Sequence, residues 1–167
     1  IARTVASALA AEMIPDPKVP AGSAGTLAAE GGTRSAQAFD AYLKGRALYD
    51  LSADEASERA ALAQFDLAIA ADPDYAPAHA ARARSLTAIA NQYGKAGQLQ
   101  ELYESAIASA RRAIEIAPGL ADAYSTLGFT LFQGKLDARG ARAPFERSRE
   151  LGAGEATVLA RYAQYSA

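Results

Sequence analysis

The chain has 167 residues, of which 50% are hydrophobic and 22% are charged, and its formal net charge at pH 7 is −2. It contains no Cys and one His, which excludes disulfides, thiolate-bound zinc, iron–sulfur clusters, a Cys nucleophile and a multi-His metal site. Because nucleic-acid-binding proteins are usually basic, the charge also argues against a nucleic-acid partner.

The first segment, residues 1–14, is predicted to be a short helix at the end of a preceding domain. Its large apolar residues recur every four positions and so share one helical face: Ile1, Val5, Leu9 and Met13. The segment is too short to cross a bilayer and is interrupted by Arg3 and Glu12, so we expect no membrane insertion. Pro15 and Pro17 end the helical pattern.

Residues 15–35 are predicted to form a flexible linker. They are rich in Pro, Gly, Ser and Thr and hold few large apolar side chains. Such a stretch cannot bury enough surface to offset the entropy lost on ordering. Whether the linker occupies a binding groove of its own chain or of a neighbouring copy is left open by the sequence.

The rest of the chain is helical in pattern and repeats itself. Three segments place small and aromatic residues at the same intervals of four, three and five positions: Ala61, Phe65, Ala68 and Pro73; Ala106, Ala110, Ala113 and Pro118; and Ala141, Phe145, Ser148 and Ala153. A further small residue recurs at Gly45, Ala83 and Gly128. The spacing predicts antiparallel helix pairs in which this small residue lets the second helix approach, while Phe65 or Phe145 fills the space beside it.

These repeats predict an all-α solenoid of stacked helix pairs. The three pairs cover about 36–73, 74–118 and 119–152, and residues 153–167 supply the first helix of a truncated fourth pair. One pair cannot bury its apolar face alone, so neighbouring pairs must stack. The middle pair carries extra residues around 91–99, which predicts a longer, protruding hairpin.

The spacing resembles that of tetratricopeptide repeats (TPRs). The clearest unit runs from Ala123 to Phe129 (AYSTLGF) and continues with Ala141, Phe145 and Ser148. The segments 41–46 (AYLKGR) and 68–78 (AIAADPDYAPA) are similar to C-terminal repeats of bacterial multidomain signalling proteins, namely class III adenylate cyclases and winged-helix regulators with a TolB-like domain. That resemblance implies a regulatory repeat region attached to another domain of a membrane-anchored parent protein, on either the cytoplasmic or the periplasmic side.

The first helices of such a stack line its concave face, and their side chains there predict a peptide-binding groove. Taking the small residue of each first helix as the reference, the stripe beside the buried seam consists of Tyr42, Arg46, Tyr49, Arg84, Thr87, Asn91, Ser125, Phe129, Phe132 and Gln133. Aromatic and guanidinium groups side by side suit an extended or helical peptide. Our hypothesis is that Arg46 and Arg84 contact an acidic side chain or a terminal carboxylate. The alternative is that the aromatic residues pack between repeats and the arginines are solvated.

The remaining residues with reactive or titratable side chains are predicted to have structural roles. His79 is at a helix start, where it is expected to pack. The sequence holds no nucleophile–base pair and no cofactor or metal motif, so we predict a non-catalytic module without a cofactor. The function hypothesis is therefore binding of a peptide or partner protein. The alternative is an oligomerisation or architectural module that associates through its last helix or its linker.

Overall fold

The structure is a computed structural model that describes residues 31–166. The predicted helix at 1–14, most of the predicted linker, and Ala167 lie outside the described residues. Within the described part the chain is helical and has no strand. None of its helices is long and apolar enough to span a membrane.

Residues 31–166 form seven α-helices, which follow one another with short connections. They are α1 Ala36–Asp50, α2 Glu55–Ala71, α3 Ala76–Tyr93, α4 Leu99–Ile116, α5 Ala121–Phe129, α6 Ala138–Leu151 and α7 Ala156–Ser166. Helix α5 continues into one π-helical turn, Thr130–Gly134. The main packing contacts are within the pairs α1–α2, α3–α4 and α5–α6, and α7 packs against α5 and α6.

Local sequence signals set the helix boundaries. The Ser35 hydroxyl accepts a hydrogen bond from the Ala38 N–H at the start of α1, and Asp54 forms a capping box with Ser57 at the start of α2. Pro73 follows the end of α2, and Pro77 is in the first turn of α3, where its missing N–H is tolerated.

The pairs are held together by matched small and large residues. A Cβ atom at Gly45 would lie 2.6 Å from the Phe65 ring, and one at Gly128 would lie 2.9 Å from the Phe145 ring. Both rings are fully buried. In the middle pair the equivalent positions are both Ala, and Ala83 and Ala110 share one buried cluster. In the first and third pairs, a large residue on one helix is thus matched by a glycine on its partner, which preserves close packing.

The extra residues of the middle pair extend its two helices. Helices α3 and α4 have 18 residues each, whereas α1 has 15 and α2 has 17. The hydroxyl of Tyr103, on α4, donates a hydrogen bond over 2.7 Å to Oδ1 of Asn91, near the end of α3. The Tyr103 ring also packs on Gly134. The longer hairpin is therefore tied to the π-helical turn of the third pair.

The last residues of the predicted linker, 31–35, pack against the helix pairs. Gly31 is buried between Ala76 and Ala117, and its carbonyl accepts a hydrogen bond from the Ala76 N–H over 3.0 Å. Its φ of 74° lies in the left-handed region that favours glycine. The Thr33 hydroxyl donates to the Asp72 carboxylate over 2.5 Å. This segment, residues 31–35, directly precedes α1, and its Gly31 packs beside the end of α4. We call it the strap.

Candidate functional site

The first helix of each pair and α7 surround a cavity of about 300 Å³, which we call the inner groove. Its walls come from α1, α3, α5 and α7, so every unit of the stack contributes to it. The lining residues are Tyr49, Arg84, Thr87, Ala88, Asn91, Gln92, Thr126, Phe129, Arg161 and Gln164.

Two arginines in the inner groove share one carboxylate. Arg84 Nη1 is 3.7 Å from Asp122 Oδ2, and Arg161 Nη1 is 3.4 Å from Asp122 Oδ1. Arg161 also donates to the Thr126 hydroxyl over 3.1 Å. Burial lowers the pKa of Arg161, and Asp122 opposes that shift. An arginine starts from so high a pKa that it stays charged, so the cluster carries two positive charges and one negative charge.

Aromatic rings hold both guanidinium groups in place. Arg84 Cζ is 5.1 Å from the centre of the Tyr49 ring, and Arg161 Cζ is 5.5 Å from the centre of the Phe129 ring. Such cation–π contacts stabilise a flat guanidinium over a ring face while leaving its N–H edge free to donate. Burial raises the pKa of Tyr49, so its hydroxyl remains protonated.

The donors of this cluster are not all used. Arg84 Nε is buried and has no hydrogen-bond partner among the described residues. The contacts to Asp122 are longer than the 2.7–2.9 Å usual for a charge-assisted hydrogen bond between these groups. A buried donor without a partner is costly, so the hydrogen-bonding capacity of Arg84 is incompletely satisfied in the free protein.

The structure brings half of the predicted groove residues together. Those that line the cavity are Tyr49, Arg84, Thr87, Asn91 and Phe129.

The other five predicted groove residues lie outside its lining. Tyr42 packs on the Phe65 and Tyr75 rings, at centroid distances of 6.0 and 5.2 Å. Ser125 is fully buried beneath the cavity, 3.5 Å from Arg161. The remaining three are on the surface or against α7: exposed Arg46, exposed Gln133, and Phe132, whose ring lies edge-on to Tyr165 at 5.5 Å.

The π-helical turn explains the position of Phe132. Thr130 starts this turn, and its hydroxyl contacts the Thr126 carbonyl and the Thr87 hydroxyl, each over 2.8 Å. A π-helical turn holds more residues than an α-helical turn. Side chains beyond Thr130 are therefore rotated away from the stripe that an α-helical period predicts.

Five lining residues were not predicted from the sequence: Ala88, Gln92, Thr126, Arg161 and Gln164. Ala88 and Gln92 directly follow the predicted Thr87 and Asn91 on α3. Gln164 directly follows Ala163, the small residue of the fourth unit, so the stripe rule applied there finds it. Thr126 and Arg161 are two positions before the small residue, at the seam with the preceding unit. The equivalent residue in α3 is the buried Ala81, so the spacing indicates packing and only the length of the Arg161 side chain brings its charge into the groove.

His79 has a partner in the backbone. Its Nε2 lies 2.9 Å from the Pro73 carbonyl oxygen, and burial lowers its pKa. Among the described residues, no group of three or more His, Asp and Glu side chains is arranged to hold a metal ion.

Comparisons with known proteins identify the fold. No family model and no curated protein matches the sequence. Among solved structures, the chain is similar to the first TPR of Spaghetti (RPAP3) bound to the HSP90 peptide SRMEEVD, with a TM-score of 0.61 and 17% identity over 80% of this chain and 94% of that one. It is also similar to the first TPR domain of human RPAP3, with a TM-score of 0.62 and 17% identity over 78% and 90% of the two chains.

The second TPR domain of human RPAP3, in complex with the HSP70 peptide SGPTIEEVD, is similar as well, with a TM-score of 0.59 and 21% identity over 78% and 96% of the two chains. Identities this low show the fold alone. The prediction of an all-α, TPR-like solenoid of antiparallel helix pairs is confirmed.

Proposed function

We propose that this chain is a non-catalytic interaction module that binds a peptide or partner protein in the inner groove. The observation that carries the proposal is the pair Arg84 and Arg161, fixed over aromatic rings in a cavity and sharing a single carboxylate. Support also comes from two structural neighbours, which are complexes with peptides ending in EEVD.

The proposed ligand group is a carboxylate, either terminal or on an acidic side chain. It would take the donors of Arg84 and Arg161 that now face Asp122. Arg46 is exposed three residues before Tyr49 on α1, so the two residues share a helix face. We propose that it contacts a second acidic group further along the peptide.

The proposed setting is a regulatory region of a bacterial signalling protein. This part rests on the resemblance of segments 41–46 and 68–78 to the repeats of adenylate cyclase-like and winged-helix regulators. In that setting the module would sense a partner for an attached domain, which would carry any catalytic or DNA-binding activity.

Replacing Arg84 or Arg161 with Ala tests the proposed carboxylate site. A library of heptapeptides with free C-termini, each paired with its C-terminal amide, serves as the probe. We expect each substitution to weaken the best binder about 10- to 100-fold, since a hydrogen bond to a charged group contributes about 1.5–3 kcal/mol. Titration calorimetry measures the change.

Arg59→Ala is the matched control, because Arg59 is exposed on α2 and pairs only with Glu55 among the described residues. It should leave the affinity unchanged. The proposal is contradicted if no heptapeptide binds, or if Arg84→Ala and Arg161→Ala bind as the parent does.

Asp122→Asn should separate stability from binding. The substitution leaves two largely buried guanidinium groups without their carboxylate, which we expect to cost about 1–3 kcal/mol of unfolding free energy. It also removes the charge that competes with a bound carboxylate, so affinity for acidic peptides should rise. Urea denaturation and calorimetry measure the two effects, and a fall in affinity would mean that Asp122 binds the ligand itself.

Self-association through α7 is the second candidate function. Leu159 on this helix is 41% exposed, and Tyr162 is partly exposed. Apolar groups on one helix face favour a partner surface. Sedimentation over a range of concentrations tests this candidate, with Leu159→Glu as the variant. A reversible dimer that Leu159→Glu abolishes supports it, and a monomer at the highest concentration rules it out.

A further inference from the structure

A second groove lies on the opposite side of the stack, between the second helices of the middle and third pairs. This outer groove has a volume of about 450 Å³, with α4 and α6 as its walls and α5 as its floor. The surface that it exposes is mainly apolar and comes from Ile114, Tyr124, Leu127 and Pro144. It shares no residue with the inner groove.

The rim of the outer groove carries two arginines and one glutamate, Arg111, Arg147 and Glu115. Arg111 on α4 makes no ion pair with any described residue, whereas its neighbour Arg112 is engaged by Asp74 and Glu115 at 2.8 and 3.4 Å. Arg147 on α6 pairs with Glu150 at 3.0 Å. An apolar floor under a rim with an unpaired arginine suits an apolar segment that carries a carboxylate at its edge.

The strap shows where the preceding chain approaches the folded part. Gly31 is held against Ala117, at the end of α4. The groove residues Arg111 and Ile114 are only one to two turns earlier on the same helix, a distance of about 9 Å or less at 1.5 Å per residue. The chain before Gly31 thus starts at the end of the helix that forms one wall of the outer groove.

The first 14 residues have the pattern that this groove requires. Ile1, Val5, Leu9 and Met13 share one helical face, and Glu12, three residues after Leu9, lies on the same side of the helix. We propose that residues 1–14 bind in the outer groove of their own chain, with the apolar face on the groove floor and Glu12 at Arg111 on the rim.

The intervening residues, 15–30, are long enough for this. Sixteen residues reach roughly 50 Å when extended and have a root-mean-square span of about 22 Å as a flexible chain. Such a short tether gives an effective concentration in the millimolar range. Even a segment with millimolar intrinsic affinity therefore occupies the groove about half of the time.

Disulfide trapping tests the proposal cleanly, because the chain contains no Cys. The test pair is Leu9→Cys with Ala143→Cys, in the wall of the outer groove. The control pair is Leu9→Cys with Ala63→Cys, which is exposed on α2. In the full chain at micromolar concentration with a glutathione redox buffer, we expect the test pair to form its intramolecular disulfide at least 10-fold faster than the control pair. Equal rates, or a disulfide-linked dimer as the main product of the test pair, would overturn the proposal.

A second variant pair checks that the apolar face drives the docking. Val5→Asp places a charge on this face, whereas Ser7→Asp places one on the opposite face. Added to the test pair, Val5→Asp should slow the trapping about 10-fold and Ser7→Asp should not change it. Equal effects of the two substitutions would contradict the proposed orientation. None of these changes touches the inner groove, so the result is independent of the proposed function.

Discussion

Replacing Phe145 with Ala is expected to lower the free energy of unfolding by about 3–5 kcal/mol. The Phe145 ring is fully buried, packs directly on Gly128 and stacks on Tyr165 with ring centroids 4.8 Å apart. Its removal leaves a cavity between α5, α6 and α7 that backbone movement fills only in part. Urea denaturation followed by circular dichroism measures the loss.

Phe39→Ala is the matched control for this substitution. Phe39 is 50% exposed on α1, so its truncation should change the unfolding free energy by less than about 1 kcal/mol. If Phe145→Ala is tolerated as well as Phe39→Ala, the ring does not hold the third pair together.

Replacing Gly128 with Leu is the converse change, because it adds side-chain volume at the contact where Phe145→Ala removes it. A single Cβ at this position would already lie 2.9–3.0 Å from three atoms of the Phe145 ring. We expect overpacking to cost about 1–3 kcal/mol of unfolding free energy. Thermal and urea denaturation measure the change.

Gly119→Leu introduces the same side chain in open space, since nothing lies within 4 Å of a Cβ at that position. It should be close to neutral. A fully tolerated Leu at position 128 would show that the close approach of α5 and α6 does not depend on glycine.

The helix pairs could be predicted because their signal is local and repeated. Close approach of two helices requires a small residue on at least one of them, and a glycine facing a buried ring recurs along the sequence at Gly45 and Phe65 and again at Gly128 and Phe145. The middle pair has Ala at both equivalent positions, Ala83 and Ala110, which share one buried cluster.

The inner groove could be predicted only in part, because its chemistry depends on contacts between units. Arg161 reaches the groove from a seam position where α3 has a buried Ala81, and helical periodicity does not report the length of a side chain. The displacement of Phe132 follows from the π-helical turn that starts at Thr130. Thr130 at its start makes a buried hydrogen bond with Thr87, 43 positions away in the sequence, which helical periodicity does not report.

The packing of the strap against the helix pairs could not be predicted from the sequence for a similar reason. The Gly and Thr content of the residues before Ala36 is typical of a linker, but Gly31 and Thr33 pack on residues far along the chain. Small residues are compatible with both outcomes, because they bury little surface alone yet fit closely wherever a complementary backbone is offered.

The inner groove combines rigidity with unused binding capacity. Tyr49 and Phe129 fix the planes of the two guanidinium groups, so little side-chain entropy is lost when a ligand binds. Asp122 keeps the two charges compatible with folding in the free protein. A ligand carboxylate must therefore outcompete a resident one, which favours peptides that add further contacts along the groove.

The most direct test of the carboxylate site is the ¹H–¹⁵N spectrum of the arginine side chains during titration with the best-binding free-acid heptapeptide. The proposed site predicts that the Nε–H signals of Arg84 and Arg161 shift together as the peptide saturates the protein, and that the amidated peptide shifts them less. A peptide that binds while both signals stay in place would contradict it.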